Sequence, residues 1–374
     1  MRWLLFVGLV FIGTFRVAAA TAADGPPVEW HDVTTWGVEG RLWEAEERLE
    51  WFDRLPAAAE QAVPPNVWSL SRDSAGMAVR FETDAPRILV RMKLSKASLA
   101  IPTMPATGAS GLDLYARDPS GRWRWVAAAK PEKQDFEAEL VAGLAPGRRE
   151  YLAYLPLYNG VESLAIGVPA GAAFKGLAPR QGKPIVFYGT SITHGACASR
   201  PGMGHVAILG RRLDRPVANL GFSGNGKMDA AVGDLLARVE AACYVIDCLP
   251  NMDAKLVGER CVPLVKHLRA ARPTTPIVLV EDRRFTNEWI LPEKRALHDA
   301  NHAALRAAFE KLRADGVPGL FYLAGDGLLG DDGEGAVDAS HPTDLGFVRQ
   351  ADAFEPVLRQ ALQEPSDRAI SGAK

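Results

Sequence analysis

The sequence predicts an α/β protein in which an N-terminal antiparallel β-sandwich is followed by a three-layer α/β/α domain with a parallel sheet. Residues 24–178 contain short alternating runs separated by turn residues and little helical periodicity, a pattern typical of a sandwich. Residues 179–362 alternate short, continuous apolar runs with segments of helical period, which is typical of a parallel sheet between two helix layers. These two patterns place the domain boundary near residue 178.

The first 23 residues predict a secretory signal peptide. Arg2 supplies a positive start, residues 4–15 form an apolar run, and Ala20-Thr21-Ala22 fits the small-residue cleavage pattern. We therefore expect cleavage near Ala22 or Ala23 and an exported protein, periplasmic or secreted; an uncleaved membrane anchor is the alternative. At the other end of the chain, residues 363–374 form a C-terminal tail beyond the second domain.

Composition narrows the classes of partner. Of the 374 residues 48% are hydrophobic, which is ample for two cores. The 43 basic and 45 acidic residues are well mixed and leave a formal net charge of −2. Because there is no basic block and no second long apolar run, we expect no nucleic-acid partner and no membrane span in the mature protein. The oligomeric state stays open at this stage.

All four cysteines lie in the second half of the chain, at Cys197, Cys243, Cys248 and Cys261. Four cysteines in so long a chain are too few for a disulfide framework, although export would permit disulfides. Cys243 and Cys248 are predicted on one strand, where their odd offset places them on opposite faces, so they should not bond each other. We therefore expect buried free thiols.

The sandwich prediction rests on the alternation of apolar and polar residues. Its strand-like segments are residues 77–81, 87–94, 123–125, 151–157 and 161–168. Asn159-Gly160 stands between the last two segments, and this dipeptide favours tight turns, so it predicts a hairpin. Most of the tryptophans of the mature chain also precede residue 130. Burial inside the sandwich is the commoner state of such residues, and stacking on sugar rings is the alternative.

In the second domain strand-like and helix-like runs alternate along the chain. The predicted strands are residues 185–189, 215–220, 244–249, 277–280 and 320–323. The predicted helices are residues 203–213, 228–239, 256–268, 297–312 and 342–362. Pro263 is expected to kink or start the third helix, and Pro342 is expected in the first turn of the last one.

Four short motifs stand where predicted strands end or predicted helices start. Ser191 follows the apolar run 185–189, and open parallel sheets bind their ligands beyond the carboxyl ends of the strands. The other three are Asn219-Leu220-Gly221-Phe222-Ser223-Gly224, Leu249-Pro250-Asn251 and Asp338-Ala339-Ser340-His341. Serine, glycine, asparagine and Asp-x-x-His in this order resemble the motifs of the SGNH (GDSL-type) hydrolases. The run Gly111-Leu112-Asp113-Leu114-Tyr115 resembles the GxDLY signature of a sandwich domain that precedes one branch of these esterases.

The resemblance implies a flavodoxin-like second domain and a role for each motif residue. Ser191 would be the nucleophile, which needs a neighbouring base because a serine hydroxyl is weakly nucleophilic. His341 would be that base, and Asp338 would orient its ring and stabilise its charged form. The resemblance assigns the oxyanion hole to the N–H groups of Ser191 and Gly224 and to the side-chain amide of Asn251.

The sequence departs from the family pattern at two places. Thr190 stands where the family's Gly-Asp-Ser motif has aspartate, so a supporting hydrogen bond is expected to be lost. The family's Gly-x-Asn-Asp reads Leu249-Pro250-Asn251-Met252 and keeps only the asparagine.

Several polar residues outside these motifs are further candidates. His194, Glu281 and Asp282 are expected near the same sheet edge and are candidate substrate-binding residues. His298 and His302 have the i, i+4 spacing of a zinc pair, but the glutamate and the third ligand of such sites are missing. A solvated helix face is therefore the preferred interpretation of this pair, and neither a metal nor a cofactor is expected.

The function expected from this sequence is that of an exported serine esterase that works through an acyl-serine intermediate. By the resemblance, its simplest substrate is an O-acetyl group on carbohydrate. Two alternatives are a lipid or thioester acyl hydrolase and a carbohydrate-binding protein on a catalytically inactive hydrolase scaffold.

Overall fold

The structure is a computed structural model that describes residues 26–363. The predicted signal peptide, residues 1–23, and residues 364–374 of the tail lie outside the described part. Within residues 26–363 no helix is both long enough and apolar enough to cross a lipid bilayer.

The first domain is a sandwich of two antiparallel sheets, which confirms the predicted fold class. Its strands are β1 (Val28–Asp32), β2 (Ala78–Thr83), β3 (Arg87–Leu94), β4 (Asp113–Arg117), β5 (Trp123–Ala128), β6 (Asp135–Ala142), β7 (Arg149–Tyr154), β8 (Val161–Pro169) and β9 (Phe174–Leu177). The four-stranded sheet has the order β1-β8-β3-β6, and the five-stranded sheet has the order β5-β4-β7-β2-β9. Two short helices lie between strands, α1 (Pro65–Ser71) and α2 (Ala106–Ala109). Apolar side chains from both sheets, such as Phe81 and Val90, form one core.

The predicted hairpin at Asn159-Gly160 is wrong. The strands on either side, β7 and β8, belong to different sheets of the sandwich, so the dipeptide lies in a connection that crosses between the sheets. Asn159 is fully buried there and donates to the carbonyl of Lys96 at 3.1 Å and to Oγ of Ser110 at 3.0 Å. These long-range bonds, rather than turn propensity, fix its conformation.

The second domain is a parallel sheet between two helix layers, as the sequence predicts. Its strands are β10 (Ile185–Gly189), β11 (Val217–Gly221), β12 (Cys243–Asp247), β13 (Ile277–Val280) and β14 (Leu320–Leu323), in the order β11-β10-β12-β13-β14. Its helices are α3 (Ser191–His194), α4 (His205–Arg212), α5 (Ala230–Ala237), α6 (Ala254–Ala271), α7 (Pro292–Ala314) and α8 (Asp344–Gln363). One core packs α5, α6 and α7 against the sheet, and a second packs α4 and α8 against its other face.

The prediction for Pro342 is wrong, and of the two roles expected for Pro263 the helix start is wrong. Pro342 does not lie in the first turn of the last helix, because α8 begins only at Asp344 and Pro342 forms an extended bridge with Ala336. Pro263 lies in the interior of α6, which starts at Ala254. The four cysteines are buried free thiols, as predicted.

The segment between β1 and β2 packs against the second domain although it connects two strands of the sandwich. Its apolar residues share a core with the parallel sheet and α5–α7: they include Leu42, Leu55, Val63 and Val67. The second domain is therefore covered on this side by the N-terminal part of the chain.

The Gly-x-Asp-Leu-Tyr run holds the two domains together. One carboxylate oxygen of Asp113 accepts from Arg200 Nη1 and from the Gly202 N–H, both at 2.8 Å, and the other accepts from Trp125 Nε1 at 2.9 Å. The Tyr115 hydroxyl also contacts Arg200. Burial raises the pKa of Asp113, and the charge of Arg200 offsets part of this effect. The signature thus ties β4 to the loop that leads from α3 to α4.

Candidate active site

Three of the predicted site loops leave neighbouring strands of the parallel sheet. In the register of the sheet Gly189 of β10 pairs with Gly221 of β11 and with Asp247 of β12. Because parallel strands end at one edge, the residues that follow these three positions meet there. This carboxyl edge carries Ser191, Gly224 and Asn251.

Ser191 is the first residue of α3 and is 7% exposed. Thr190 caps this helix, since its Oγ1 accepts from the Ile192 N–H at 3.3 Å. Threonine and aspartate are both good N-cap residues, so Thr190 can replace the family's aspartate in this local role. Gly221 lets α3 approach the sheet, because a Cβ at this position would lie 2.1 Å from the His194 backbone nitrogen.

His341 and Asp338 lie on a turn just before α8. Nε2 of His341 is 2.9 Å from Ser191 Oγ, and its Nδ1 is 2.8 Å from Asp338 Oδ2. The turn is held by the His341 N–H, which donates to Asp338 Oδ1 at 2.8 Å, and by the carbonyl of Ala339, which accepts from the Thr286 N–H at 3.0 Å. Ala339 has a φ of 73°, a left-handed conformation that is costly for alanine.

The carboxylate of Asp338 stays ionised because of these bonds. Partial burial acts to raise its pKa, but the hydrogen bonds from the His341 backbone and ring outweigh it, and the net shift is downward. A charged carboxylate beside Nδ1 fixes the proton there and leaves Nε2 free to accept the serine proton.

The candidate oxyanion donors lie beside this group. Gly224 has a φ of 70° and faces open space where a side chain would stand, so its backbone can approach a substrate. Asn251 accepts the Gly226 N–H at 3.2 Å through Oδ1, which orients the amide and leaves Nδ2 as a donor. Gly226 in turn packs on Gly189: a Cβ added at Gly226 would lie 2.0 Å from the carbonyl oxygen of Gly189.

The three candidate substrate-binding residues, His194, Glu281 and Asp282, lie in the interior of the protein. All three are buried, at 0%, 1% and 4% exposure. The ring of His194 stacks on Tyr158 at 4.2 Å, and burial, reinforced by nearby Arg54, lowers its pKa well below the usual value, so it is neutral. The carboxylate of Glu281 accepts from Arg306 and from the Gly325 N–H, both at 2.8 Å. Glu281 and Asp282 pack inside the protein because α7 covers the strand end that carries them.

The prediction of a solvated face for His298 and His302 is also wrong. Their exposures are 1% and 6%, and both rings point from α7 toward the end of β13. His298 Nδ1 lies 2.6 Å from Glu288 Oε2, and His302 Nε2 lies 2.9 Å from the carbonyl of Asp282. Among residues 26–363 no group of three or more potential ligands is arranged to hold a metal ion.

Five buried residues that support the site were given no supporting role at the sequence level: Asn219, Thr193, Asp247, Arg283 and Arg54. Asn219 Nδ2 donates to the Thr193 carbonyl at 2.7 Å, and Thr193 Oγ1 donates to Asp247 Oδ2 at 2.9 Å. Asp247 forms a buried pair with Arg283, whose Nη2 is 2.8 Å from Oδ2. A polar residue within or ending an apolar strand is a signal that would have found Asn219 and Asp247. Arg54 has no such signal, because its acceptor on β11 lies 165 positions along the chain.

A serine, an imidazole and a carboxylate in hydrogen-bonded sequence at the carboxyl edge of a parallel sheet define the class of protein: this is the arrangement of an α/β/α serine hydrolase. The sequence profile of the GDSL-like lipase/acylhydrolase family matches residues 182–359, and that of the GxDLY domain, the N-terminus of SGNH-hydrolase-type esterases, matches residues 28–174. The chain belongs to this family of SGNH-type esterases, as the sequence motifs predict.

Solved structures agree with this assignment. A protein from Bacteroides ovatus described as a GDSL-like lipase is 33% identical, with 90% of this chain and 98% of that one covered and a TM-score of 0.84. The salicylyl-acyltransferase SsfX3 of a tetracycline biosynthetic pathway is 19% identical, with the same coverages and a TM-score of 0.71. A family two carbohydrate esterase from Cellvibrio japonicus is 15% identical, again with the same coverages, and has a TM-score of 0.57. The last two share the fold. No curated protein matched the sequence.

Proposed function

We propose that this protein is an exported serine esterase that removes O-acetyl groups from carbohydrate. The observation that carries the proposal is the contact of 2.9 Å between Ser191 Oγ and His341 Nε2, with Asp338 on the far side of the imidazole. A serine in this position is activated for attack on an ester carbonyl. Export is inferred from the sequence of residues 1–23.

The reaction follows from these contacts. Ser191 Oγ attacks the acetyl carbonyl while its proton moves to His341 Nε2, and Asp338 stabilises the resulting imidazolium. The N–H groups of Ser191 and Gly224 and the amide of Asn251 stabilise the oxyanion. The imidazolium then gives its proton to the departing sugar oxygen, which leaves an acetyl-serine. Water, deprotonated by His341, releases acetate by the same steps in reverse, and no cofactor takes part.

Three observations support carbohydrate as the alcohol part of the ester. The solved carbohydrate esterase from Cellvibrio japonicus has the same fold. Trp289 is 77% exposed on the loop between β13 and α7, and the same loop bonds the His341 turn through Thr286 and Ala339. Trp125 is 52% exposed on the sandwich. Exposed indole rings stack well on sugar rings.

A screen for acetate release over acetylated polysaccharides and acetylated monosaccharides tests the proposal. We expect release by the wild type from at least one acetylated carbohydrate, and none above background by Ser191→Ala. Labelling of Ser191 by a fluorophosphonate probe should accompany activity. A folded wild type that is neither labelled nor active would favour the carbohydrate-binding alternative.

A lipid or thioester acyl hydrolase is the second candidate, because apolar side chains beside Trp289 are also exposed: Ile290 is 56% and Leu291 is 38% exposed. A series of nitrophenyl esters of increasing acyl length separates the two candidates. The acetyl proposal expects kcat/KM to fall from acetate to octanoate. A large rise toward octanoate would establish the acyl hydrolase instead.

A further inference from the structure

Arg54 reaches from the segment between β1 and β2 to the edge strand of the parallel sheet. Its Nη1 donates to the carbonyls of Asn219 at 3.1 Å and Gly221 at 2.8 Å, both on β11. Its other nitrogens donate to the carbonyls of Asp73 at 2.8 Å and Leu70 at 2.6 Å. The side chain is 2% exposed, so four backbone carbonyls on two parts of the chain depend on this one buried guanidinium.

The two β11 carbonyls that Arg54 binds lie just before the loop that carries Gly224, a candidate oxyanion donor. Gly221 ends the strand, and Gly224 follows three positions later. Between them, the Phe222 N–H donates to the Gly189 carbonyl at 2.9 Å, and the Arg54 guanidinium lies 5.1 Å from the centre of the Phe222 ring. The backbone that carries the Gly224 N–H is therefore held by β10 on one side and by Arg54 on the other.

The same cluster holds the helix that carries the nucleophile. Asn219 accepts the Gly221 N–H at 2.9 Å and donates to the Thr193 carbonyl of α3 at 2.7 Å. Arg54 Nη2 lies 3.5 Å from Nε2 of His194, the last residue of α3. His194 is neutral, so this nitrogen can accept a hydrogen bond from the guanidinium. Ser191 and Gly224 thus share one buried support.

We propose that Arg54 is a positioning residue that sets the distance between the two backbone donors of the oxyanion hole, the N–H groups of Ser191 and Gly224. The inference rests on the proposed esterase function. An oxyanion hole acts through donors fixed in place before the reaction, so a small shift of one donor weakens transition-state stabilisation more than substrate binding. Through Arg54, the N-terminal part of the chain therefore contributes to catalysis without touching the substrate.

Arginine is required here by geometry. A planar guanidinium offers five donors in a rigid fork, which lets it serve carbonyls on opposite sides at once. A lysine at this position would keep the charge but could not span the carbonyls of β11 and those of Leu70 and Asp73 together.

Arg180 offers a matched control near the opposite end of the same strand. It lies before β10, and its Nη2 donates to Glu39 at 2.7 Å and, at 3.1 Å, to the carbonyl of Arg215, two residues before β11 begins. It is also largely buried, with a side chain 14% exposed. Arg180 thus ties the N-terminal part of the chain to the amino end of β11, whereas Arg54 ties it to the carboxyl end that leads to Gly224.

The experiment compares Arg54→Lys and Arg54→Gln with Arg180→Lys and Arg180→Gln on a small acetate ester. Unfolding temperature, kcat, KM and inhibition by a boronic acid are measured, since boronates form a tetrahedral adduct on the serine. We expect Arg54→Lys to lower kcat by about 10- to 100-fold with KM within about threefold of the wild type. The boronate inhibition constant should rise by the same factor as kcat falls. Both Arg180 variants should keep kcat within about threefold, whatever their loss of stability.

Equal kcat values for the folded Arg54→Lys and Arg180→Lys proteins would overturn the inference, as would an unchanged boronate constant in Arg54→Lys. Failure of both Arg54 variants to fold while both Arg180 variants fold would also overturn it, because the residue would then maintain the fold and not the geometry of the site. A wild type without esterase activity would instead refute the proposed function.

Discussion

Two groups of histidine and carboxylate side chains lie at the carboxyl edge of the parallel sheet, with similar residue types and opposite surroundings. The first is the catalytic group, Ser191, Asp338 and His341, in which the His341 side chain is 30% exposed. The second, which we call the buried acidic cluster, consists of Glu281, Asp282, Glu288, His298 and His302, where His298 is 1% exposed. Residue types and spacing alone do not show which of the two groups can react with a substrate. The groups differ in whether a substrate can reach a nitrogen or oxygen atom that is not already used in an internal contact.

The difference arises from what covers each strand end. The His341 turn lies outside α8 and faces the open edge, and its Nε2 is directed at Ser191. The buried acidic cluster lies under α7, and its polar atoms are used internally, as in the contact of 2.6 Å between His298 Nδ1 and Glu288 Oε2. Changes in the catalytic group should therefore alter turnover, and changes in the buried cluster should alter stability.

The largest effect is expected for Ser191→Ala, which removes the nucleophile from the catalytic group. We expect kcat to fall by about 10⁶-fold, as for other serine hydrolases that lose this hydroxyl. The unfolding free energy should change by no more than about 1.5 kcal/mol, because the substitution removes one side-chain hydrogen bond, that of Oγ with His341. Activity assays and urea unfolding on the same preparation check both statements. Substantial residual turnover would mean that another group is the nucleophile.

Asn251→Ala should come next, because it removes one oxyanion donor and leaves the nucleophile intact. We expect kcat to fall by about 100- to 1000-fold with little change in KM, since the amide bonds the transition state more strongly than the ester. Steady-state kinetics on a small acetate ester measure the split. A rise of KM at constant kcat would show that Asn251 binds the ground-state substrate instead.

Asp338→Asn should have a smaller effect than the loss of a buried triad aspartate. The Asp338 side chain is 40% exposed, so water can replace part of its stabilisation of the imidazolium. We expect kcat to fall by about 10²-fold, compared with about 10⁴-fold where the aspartate is buried. An asparagine Oδ1 can still accept the backbone N–H of His341, so the turn should persist. A loss as large as that of Ser191→Ala would show that Asp338 holds the turn itself.

The sequence was sufficient where one local feature decides the structure. The strands Ile277–Val280 and Leu320–Leu323 have the predicted bounds, because short apolar runs between turn residues have few alternatives in a parallel sheet. The motif residues Ser191 and His341 were also predicted correctly to be neighbours, since Ser191 begins α3 and His341 lies three positions before α8.

Prediction from the sequence failed where contacts between distant parts of the chain determine the local structure. Asn159-Gly160 has the composition of a hairpin turn, yet its bonds to Lys96 and Ser110 place it between two sheets. His298 and His302 have polar neighbours in sequence, yet α7 turns them toward β13. The role of Arg54 depends on contacts with β11 that no local pattern encodes.

Asp282→Asn tests the buried acidic cluster and should have the smallest effect on turnover of the four substitutions. Burial raises the pKa of Asp282 to about 7, with the charge of Arg283 acting in the opposite direction. The folded protein therefore keeps this proton up to about pH 7, whereas the unfolded chain releases it near pH 4. Between these values the unfolded state binds fewer protons, so this group makes the unfolding free energy fall as pH rises, and above about pH 7 its contribution is constant.

Asparagine cannot release a proton, so Asp282→Asn should lose this dependence and gain stability relative to the wild type between pH 5 and pH 8, by a few kcal/mol at most. Urea unfolding of both proteins at the two pH values gives the difference, with Asp352→Asn as a control because that side chain is 59% exposed. Turnover should stay within about twofold, since Asp282 is buried and no hydrogen bond joins its side chain to Ser191, Asp338 or His341 among the described residues. If the stability difference between variant and wild type is the same at both pH values, Asp282 is ionised in the folded protein. If turnover falls with it, the buried acidic cluster supports the catalytic group directly, and the two groups act as one site.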